Sequence, residues 1–260
     1  SLDNFHTFLA SSVLVSAAGL LSVLILVVVF SKMVFKPVAE SDRKQRQFIT
    51  DAGHEIKTPL TIIDANTEVL EMEHGESQWT QSIRGQVKRL SALTANLIAL
   101  SRLDEGGRQL QKLEFSLSDA VSETARSFQA LAMTQEKSLD ARITPNLTYR
   151  GDEAAIRQLT GILLDNALKY SDGPGQICLS LKPRGRSGCT LTVTNTVQGL
   201  EPGDLNCLFE RFYRADRSRN SVTGGYGLGL SIARAIVSAH KGKIGAESPD
   251  GKSLTIHVNL

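Results

Sequence analysis

The feature that most constrains this chain is a run of about 23 uncharged residues from Phe8 to Phe30. As a helix rising about 1.5 Å per residue, such a run can cross a hydrocarbon core of roughly 30 Å. A cleaved signal peptide has a shorter apolar core and a basic leader, whereas Asp3 and His6 precede this run. We therefore predict a single transmembrane helix, and we assign residues 1–35 to an N-terminal tail and that helix.

Charge predicts on which side of the membrane the rest of the chain lies. Just after the run, basic residues outnumber acidic ones: Lys32, Lys36, Arg43, Lys44 and Arg46 against Glu40 and Asp42. The positive-inside rule then places the C-terminal part in the cytoplasm and the chain in the inner (cytoplasmic) membrane. The net charge of only +2 argues against nucleic acid as a main partner. Three cysteines without C-x-x-C spacing indicate neither a disulfide framework nor a zinc site.

Two helical segments follow the predicted span, from Val38 to about Glu73 and from about Thr80 to Leu103, with Gly75 as the turn residue. Apolar residues recur in each at heptad spacing: Ile49, Ile56, Ile63 and Leu70, with Ala52 and Pro59, in the first, and Ile83, Leu90, Leu97, Leu93 and Leu100 in the second. A hairpin alone cannot enclose both stripes, so we predict a homodimer that forms a four-helix bundle over residues 36–104. Packing of the stripes on the downstream domain is the alternative.

Predicted helices and strands alternate beyond the polar segment Ser101 to Gln109. This alternation predicts an α/β domain over residues 105–260. Helices are predicted at Ser118 to about Met133, Asp152 to Tyr170 and about Leu228 to His240. Strands are predicted near Phe115, Leu139–Ile143, Thr148–Tyr149, Gln176–Lys182, Cys189–Asn195, Lys243–Glu247 and Ser253–Val258.

His54 is the first candidate for a catalytic residue. Relative to the apolar positions Ala52 and Ile56 it is turned about 200° around the helix, so it is predicted to face solvent. Glu55 adjoins it and Thr58 lies one turn further on the same face. A neutral imidazole is a nucleophile, and an adjacent carboxylate can accept its proton. The segment lacks the second histidine of a zinc protease helix, and an inert histidine on a solvated helix face is the plain alternative.

A second group of candidates lies on the predicted helix Asp152 to Tyr170. Asn166, Lys169 and Tyr170 fall on one helical face and suit a metal ion, a phosphate and a nucleotide base or sugar, respectively. Further on, glycines open an amphipathic helix: Gly224, Gly225, Gly227 and Gly229. Backbone N–H groups at such a helix start can hold an anion, so the pattern predicts a phosphate site. Neither a dinucleotide fingerprint nor a P-loop is present.

The segment before these glycines, LFERFYRADRSRN, is basic and aromatic. Its arginines are Arg211, Arg214, Arg217 and Arg219, and they surround Phe209, Phe212 and Tyr213. We interpret it as a basic lid over phosphates, with a solvated loop as the alternative.

Four motifs in this order make residues 42–260 resemble a membrane-bound sensor histidine kinase of a two-component system: those around His54, Asn166, Phe209 and Gly225 to Gly229. The resemblance implies a dimeric phosphoacceptor hairpin followed by an ATP-binding α/β sandwich of the GHKL (Bergerat) type, shared with gyrase and a heat-shock chaperone. It implies that His54 is phosphorylated from ATP, that Glu55 acts as acid or base, and that Asn166 binds Mg²⁺. Thr58 matches the position that helps to orient water when the response regulator is dephosphorylated.

The same resemblance implies a set of nucleotide-binding residues: Asn166, Lys169, Tyr170, Asn195, Gly199, Arg214, Gly225, Tyr226, Gly227, Leu228 and Gly229. Three departures from the family pattern affect this set. Asn195 replaces the usual adenine-binding aspartate, Val197 replaces the first glycine after it, and Ile162 replaces a second asparagine one turn before Asn166. Asparagine can still pair with adenine, whereas valine adds bulk and restricts the backbone.

The function predicted from the sequence is therefore a protein-histidine kinase that passes its phosphoryl group to an aspartate of a response regulator receiver domain. Phosphatase activity towards that regulator is a predicted second activity. Three alternatives stay open: a receptor with a degenerate ATP domain that acts as a scaffold, a protein that is mainly a phosphatase through Thr58, and a general ATPase with no use for His54.

Overall fold

The backbone is described for residues 2–104, 111–185, 188–211, 213 and 227–260 in a computed structural model. Side chains are described for the same residues except 2–11, 29, 31–43, 45–47, 100 and 102–104. The chain divides into two units, Ser1–Phe48 and Ile49–Leu260. In the first unit the side chains of residues 12–28 are exposed. Within the described residues, no helix meets the length and hydropathy required of a membrane span, so the predicted span at Phe8 to Phe30 is not confirmed and stays a prediction.

A helical hairpin begins the second unit, as the heptad pattern predicts. Helix α1 (Leu2–His74) is longer than the predicted segment, which was expected to begin at Val38, and it is followed by α2 (Gln78–Asp104). Gly75 makes the turn with a φ of 79°, a left-handed conformation that glycine adopts without a steric penalty. The backbone N–H of Thr80 donates to Ser77 Oγ at 3.1 Å, so a serine side chain caps the start of α2.

Within one chain, α1 and α2 contact each other through residues other than the predicted stripes. The buried positions recur every seven residues: Gly53, Leu60 and Thr67 on α1, and Val87, Thr94 and Ser101 on α2. The predicted stripe residues Ile56, Ile63, Leu70, Ile83 and Leu90 are 43–48% exposed. Leu93 and Leu97 of the predicted α2 stripe are half-buried against the core of the α/β part, as the alternative reading of the stripes predicts. The stripe residues that one hairpin leaves uncovered are the five exposed ones.

The rest of the second unit is a layered α/β structure, in agreement with the predicted α/β domain. Its strands are β1 (Leu113–Ser116), β2 (Ser138–Ile143), β3 (Thr148–Gly151), β4 (Gln176–Arg184), β5 (Gly188–Thr196), β6 (Gly203–Asp204), β7 (Lys243–Ser248) and β8 (Ser253–Asn259). Its helices are α3 (Leu117–Thr134), α4 (Glu153–Tyr170) and α5 (Gly229–Ala239). The two-stranded sheet is β1-β3, and the larger sheet has the order β2-β4-β5-β8-β7-β6, with the β2–β4 pair parallel and the other pairs antiparallel.

Alternation along the central strand explains how the layers form. On β5, Leu191 and Val193 are buried while Thr190, Thr192 and Thr194 are half-buried, which is the two-residue period of a sheet with one covered face. The core packed on that face comes largely from α4 and α5, including Leu159, Leu163, Ile232 and Ile236. Burial of each such side chain contributes about 1.5–3 kcal/mol.

His240 links the end of α5 to the start of α4. Its Nε2 accepts from the backbone N–H of Asp152 at 3.1 Å, so Nδ1 carries the proton and donates to the Ile236 carbonyl at 2.9 Å. Asp152 in turn caps α4 by accepting from the N–H of Ala155 at 3.0 Å. These bonds fix the relative placement of α4, which bears Asn166, Lys169 and Tyr170, and of α5, which begins at Gly229.

Two short elements were not predicted. The strand β6 and a 3₁₀ helix at Asn206–Phe209 lie between the predicted strand Cys189–Asn195 and the predicted helix that begins at about Leu228, where the sequence predicts no helix or strand. Asp204 stabilises this turn, because its Oδ1 accepts from the N–H of Asn206 at 2.8 Å. Of the three cysteines, Cys189 is buried and Cys178 and Cys207 are half-buried.

Candidate functional site: a phosphoacceptor helix and a nucleotide site

His54 lies on the exposed face of α1, in agreement with the helical position predicted for it. Glu55 and Thr58 are exposed with it, whereas Gly53 and Leu60 are buried against α2. The helix continues through Pro59, although proline has no N–H to donate to the carbonyl of Glu55 one turn earlier. The imidazole is therefore accessible to a second reactant, and a carboxylate and a hydroxyl lie on the same side of the helix.

The residues predicted on α4 differ in exposure. Asn166 is half-buried, whereas Lys169 and Tyr170 are exposed. The ammonium of Lys169 lies 2.5 Å from Asp165 Oδ2 one turn earlier, so its charge is paired within the helix. A phosphate at Lys169 would have to compete with Asp165.

The C-terminal end of α4 is anchored by a lysine that the sequence does not single out. Lys137 Nζ donates to the carbonyl of Leu168. Burial lowers the pKa of this ammonium, and the nearby carboxylate of Asp172 acts in the opposite direction. A cation at a helix C-terminus interacts favourably with the helix dipole, so Lys137 helps to fix the turn that bears Asn166 and Lys169.

Ile162 brings α4 and the glycine motif together. A Cβ placed on Gly229 would lie 3.5 Å from Ile162 Cγ2, so the start of α5 packs on α4 at this residue. Ile162 therefore contacts the helix start with an apolar group, whereas the asparagine of the family pattern would be polar. Asn166 is one turn further along the same helix.

Asn195 is the residue before the last of β5 and lies on the covered face of the sheet. It is buried, on the same face as Leu191 and Val193, and its Nδ2 donates to the Thr196 carbonyl at 3.2 Å. Val197 follows with its N–H bonded to the Lys252 carbonyl at 2.9 Å. In the described part of the chain, the non-glycine residues with a positive φ are Glu136, Asn146 and Lys241. The backbone at Val197 thus does not need glycine, whereas Gly199, with a φ of 80°, does.

The start of α5 has the form expected of an anion site. Gly227 has a φ of 70°, and Leu228 precedes the helix without any side-chain hydrogen bond to its first N–H groups in the described residues. N–H groups at the positive end of a helix that its N-cap side chain leaves uncapped can receive a phosphate. The remaining predicted residues of this region, Arg214, Gly225 and Tyr226, lie outside the described residues, as do Arg217 and Arg219.

Phe209 anchors the beginning of the predicted lid segment. It is buried in the core at the end of the 3₁₀ helix, whereas Arg211 and Tyr213 are exposed. A hydrogen bond with Cys207 raises the pKa of Tyr213. Among the described residues, no three His, Cys, Asp or Glu side chains form a group that could hold a metal ion.

The sequence pattern misses one residue next to His54. Gly53 lies inside a helix, where glycine is unfavourable, and it packs against Ile98 of α2. An isolated glycine in a helical pattern is itself a signal of close packing, and it could have indicated this contact.

Two known domain families match this chain, in the same order as the His54 helix and the nucleotide site. Residues 44–106 match the His Kinase A (phospho-acceptor) domain. Residues 151–260 match the histidine kinase-, DNA gyrase B- and HSP90-like ATPase.

Individual relatives support the same assignment. The chain is 37% identical over 217 residues to the sensor protein DltS of Streptococcus agalactiae, covering 83% of this chain and 54% of DltS. It is 33% identical over 227 residues to the signal transduction histidine-protein kinase BaeS of Escherichia coli, covering 85% of this chain and 48% of BaeS. The chain thus spans about half the length of the curated relatives it matches.

Solved structures share the fold. Full-length ShkA in complex with AMPPNP matches with a TM-score of 0.71 at 20% identity, over 82% of this chain and 45% of ShkA. The Acinetobacter baumannii histidine kinase AdeS matches with a TM-score of 0.59 at 23% identity, over 80% of this chain and 96% of the AdeS chain. A phosphoacceptor hairpin followed by a GHKL-type ATPase fold defines the class of protein. The chain belongs to the family of two-component sensor histidine kinases.

Proposed function

We propose that this chain is an ATP-dependent protein-histidine kinase that phosphorylates its own His54. The observation that carries the proposal is the exposed imidazole of His54, held on a helical hairpin that precedes an ATPase fold in the same chain. Glu55 and Thr58 on the same side of α1 supply the polar groups that such a transfer uses.

The chemistry assigned to these side chains is a phosphoryl transfer. A ring nitrogen of His54 forms a bond to the γ-phosphorus, the bond from that phosphorus to the β,γ-bridging oxygen breaks, and Glu55 takes the proton from the other ring nitrogen. ATP with Mg²⁺ supplies the phosphoryl group and its leaving group. Catalysis then depends chiefly on positioning His54 in line and on neutralising charge.

The nucleotide-binding part of the proposal rests on α4, β5 and α5. Asn166 would ligate Mg²⁺, Asn195 and Gly199 would contact the base, and Gly227, Leu228 and Gly229 would hold phosphates through backbone N–H groups. Lys169, Tyr170, Arg214, Gly225 and Tyr226 complete the proposed set. The uncapped start of α5 and the left-handed backbone at Gly227 and Gly199 fit these assignments.

We further propose that two chains pair through the hairpin into a four-helix bundle. The exposed stripe of Ile56, Ile63, Leu70, Ile83 and Leu90 is the surface that the partner would cover. The proposed domain limits are 1–35, 36–104 and 105–260.

Partners and location complete the proposal. The phosphoryl group would pass from His54 to an aspartate of a response regulator receiver domain, and Thr58 would assist dephosphorylation of that regulator. Phe8 to Phe30 would anchor the chain in the cytoplasmic membrane with its C-terminal part in the cytoplasm. Support for the anchor is the length of the uncharged run and the exposure of its apolar side chains from Val13 to Val28.

The direct test is incubation of the full chain with γ-labelled ATP and Mg²⁺. We expect one label per chain that is stable in base and released by acid, as for a phosphohistidine. His54→Gln should abolish the label, whereas His74→Gln, which changes an exposed histidine at the end of the same helix, should leave it unchanged. Label that persists in His54→Gln contradicts the proposal.

Three further measurements separate the alternative functions: ATP affinity, ATP turnover and dephosphorylation of a receiver domain. A scaffold with a degenerate ATP domain would show no ATP affinity in the presence of Mg²⁺. A general ATPase would keep its full ATP turnover after His54→Gln. A protein that is mainly a phosphatase would take no label, yet it would remove phosphate from a receiver domain in a way that Thr58→Ala abolishes.

A further inference from the structure

Gly53, the residue immediately before His54, lies on the buried face of α1 in direct contact with α2. A Cβ at this position would lie 2.5 Å from Cγ1 and 2.6 Å from Cδ1 of Ile98. Carbon atoms in favourable contact are about 3.5–4.0 Å apart, so a side chain here requires Ile98 or the helices to shift. Ile98 therefore packs directly on the backbone of the helix that carries His54.

The surrounding contacts are also made by small or short side chains. One turn before Gly53, Thr50 Oγ1 donates to Ser101 Oγ of α2 at 3.2 Å. Thr94 and Ile98 are buried on α2, and a Cβ at Gly53 would lie 3.5 Å from Thr94 Cγ2. Glycine in the interior of a helix costs about 0.5–1 kcal/mol relative to alanine. This cost is offset here by a closer approach of α1 and α2 than any other residue at position 53 allows.

We propose that Gly53 and Ile98 form a positioning pair that sets the separation of α1 and α2 beside His54 and thereby controls the rate of histidine phosphorylation. The inference rests on the proposed function and adds two residues that take no part in binding the nucleotide. Gly53 acts through the backbone of α1, which it shares with His54, and Ile98 acts as the spacer on α2.

The contact cannot relax easily by side-chain rotation. An isoleucine in a helix has one strongly preferred χ1 rotamer, in about 90% of cases, so Cγ1 of Ile98 cannot turn away without strain. A methyl group at position 53 must therefore separate the helices by roughly 1 Å to restore a normal contact distance. A displacement of that size at a reacting group can reduce a rate by about 100-fold.

The first test compares two glycine-to-alanine changes in the full chain in detergent. Gly53→Ala should lower the kcat of autophosphorylation by at least about tenfold and leave the KM for ATP within about twofold, because the proposed ATP contacts lie on α4, β5 and α5. Gly85→Ala is the matched control. Gly85 is exposed in the middle of α2, and a Cβ there would meet nothing within 4 Å, so both kinetic constants should stay within about twofold of wild type.

The second test is a rescue. Ile98→Ala removes both atoms that crowd position 53, so Gly53→Ala/Ile98→Ala should recover kcat to within about threefold of Ile98→Ala alone. Circular dichroism is recorded for every variant. If Gly53→Ala fails to fold, the double variant must fold, since the clash that unfolds the single variant is absent from it.

Three outcomes would overturn the inference: a Gly53→Ala variant with the kcat of wild type, a loss that Ile98→Ala does not relieve, or a double variant that remains unfolded. A wild-type chain that takes no label from ATP contradicts the proposed function. A labelled wild type with an equally active Gly53→Ala variant overturns the positioning role alone.

Discussion

Val197 and Gly199 lie two residues apart in the loop after β5. The backbone conformation at Gly199 requires glycine, whereas the one at Val197 accepts a β-branched side chain. Gly199 has a φ of 80°, whereas Val197 has an ordinary backbone and packs its side chain against the core. The family pattern alone indicates a steric conflict at Val197, because valine replaces a glycine there. The structure removes that conflict, since this φ is accessible to valine.

We predict that restoring glycine at this position does not stabilise the protein. Val197→Gly should lower the free energy of unfolding by about 1–2 kcal/mol, because it removes packing and increases the entropy of the unfolded chain. Gly199→Ala should also destabilise, by about 1 kcal/mol or more, because alanine is strained at a positive φ. Urea unfolding of the two variants measures both effects. A Val197→Gly protein more stable than wild type would show that valine is strained after all.

Cys189 provides a prediction about pH. Burial raises the pKa of its thiol from 9.0 to about 11, because the thiolate is poorly solvated. The unfolded chain ionises this thiol near pH 9, so its contribution to stability is complete below pH 9 and is lost as the pH rises towards 11. The unfolding free energy of wild type should therefore fall relative to that of Cys189→Ala over this interval. An equal pH dependence of the two proteins between pH 9 and pH 11 would refute the assignment.

Whole elements show which parts of the fold the sequence can predict. Both hairpin helices and α3 to α5 follow from the apolar period, and β5 follows from its alternation, because each repeats a pattern over several turns or residue pairs. The two-residue strand β6 has no such repeat and depends on pairing with β7. The glycine at position 53 is a sequence signal of close packing, but its partner Ile98 could not be predicted, since the identity of the partner depends on the register of α1 against α2.

The end of the hairpin nearest its loop contains a charged cluster that can be tested as a unit. Arg84 Nη1 of α2 lies 2.8 Å from Glu71 Oε2 of α1, and the Glu71 side chain is only 9% exposed. Arg84 Nε is also 3.6 Å from Asp64 Oδ1. Because the Glu71 carboxylate is largely covered and is poorly solvated without its partner, Arg84→Met should lower the stability of the protein.

A compensating change should separate this effect from a loss of helix packing. Arg84→Met/Glu71→Met removes both charges and should recover most of the stability, as measured by thermal unfolding of the three proteins. Arg89→Met is the control, because Arg89 is exposed on the same helix and should change stability by less than about 0.5 kcal/mol. If the double variant is no more stable than Arg84→Met, the charge pair is not the source of the loss.

At the scale of the whole molecule, one chain leaves apolar surface on both hairpin helices that its own fold does not cover. Ile63 on α1 and Leu90 on α2 are 43% and 44% exposed, although they occupy heptad positions typical of a bundle core. A second copy of the hairpin has the same two stripes and can cover them in a symmetric arrangement. Dimerisation would then also determine which ATPase domain can reach each His54.

We therefore predict that one charge in this stripe converts the dimer into a monomer. A glutamate at the centre of an apolar bundle would have to be buried without a partner, at a cost of several kcal/mol, so Ile63→Glu should halve the mass measured by light scattering during gel filtration. Val69→Glu adds the same charge to another exposed face of α1 and should leave the mass of the dimer unchanged. If Ile63→Glu remained dimeric, the partner would contact a different surface. If Val69→Glu also became monomeric, the interface would extend around α1 beyond the heptad stripe.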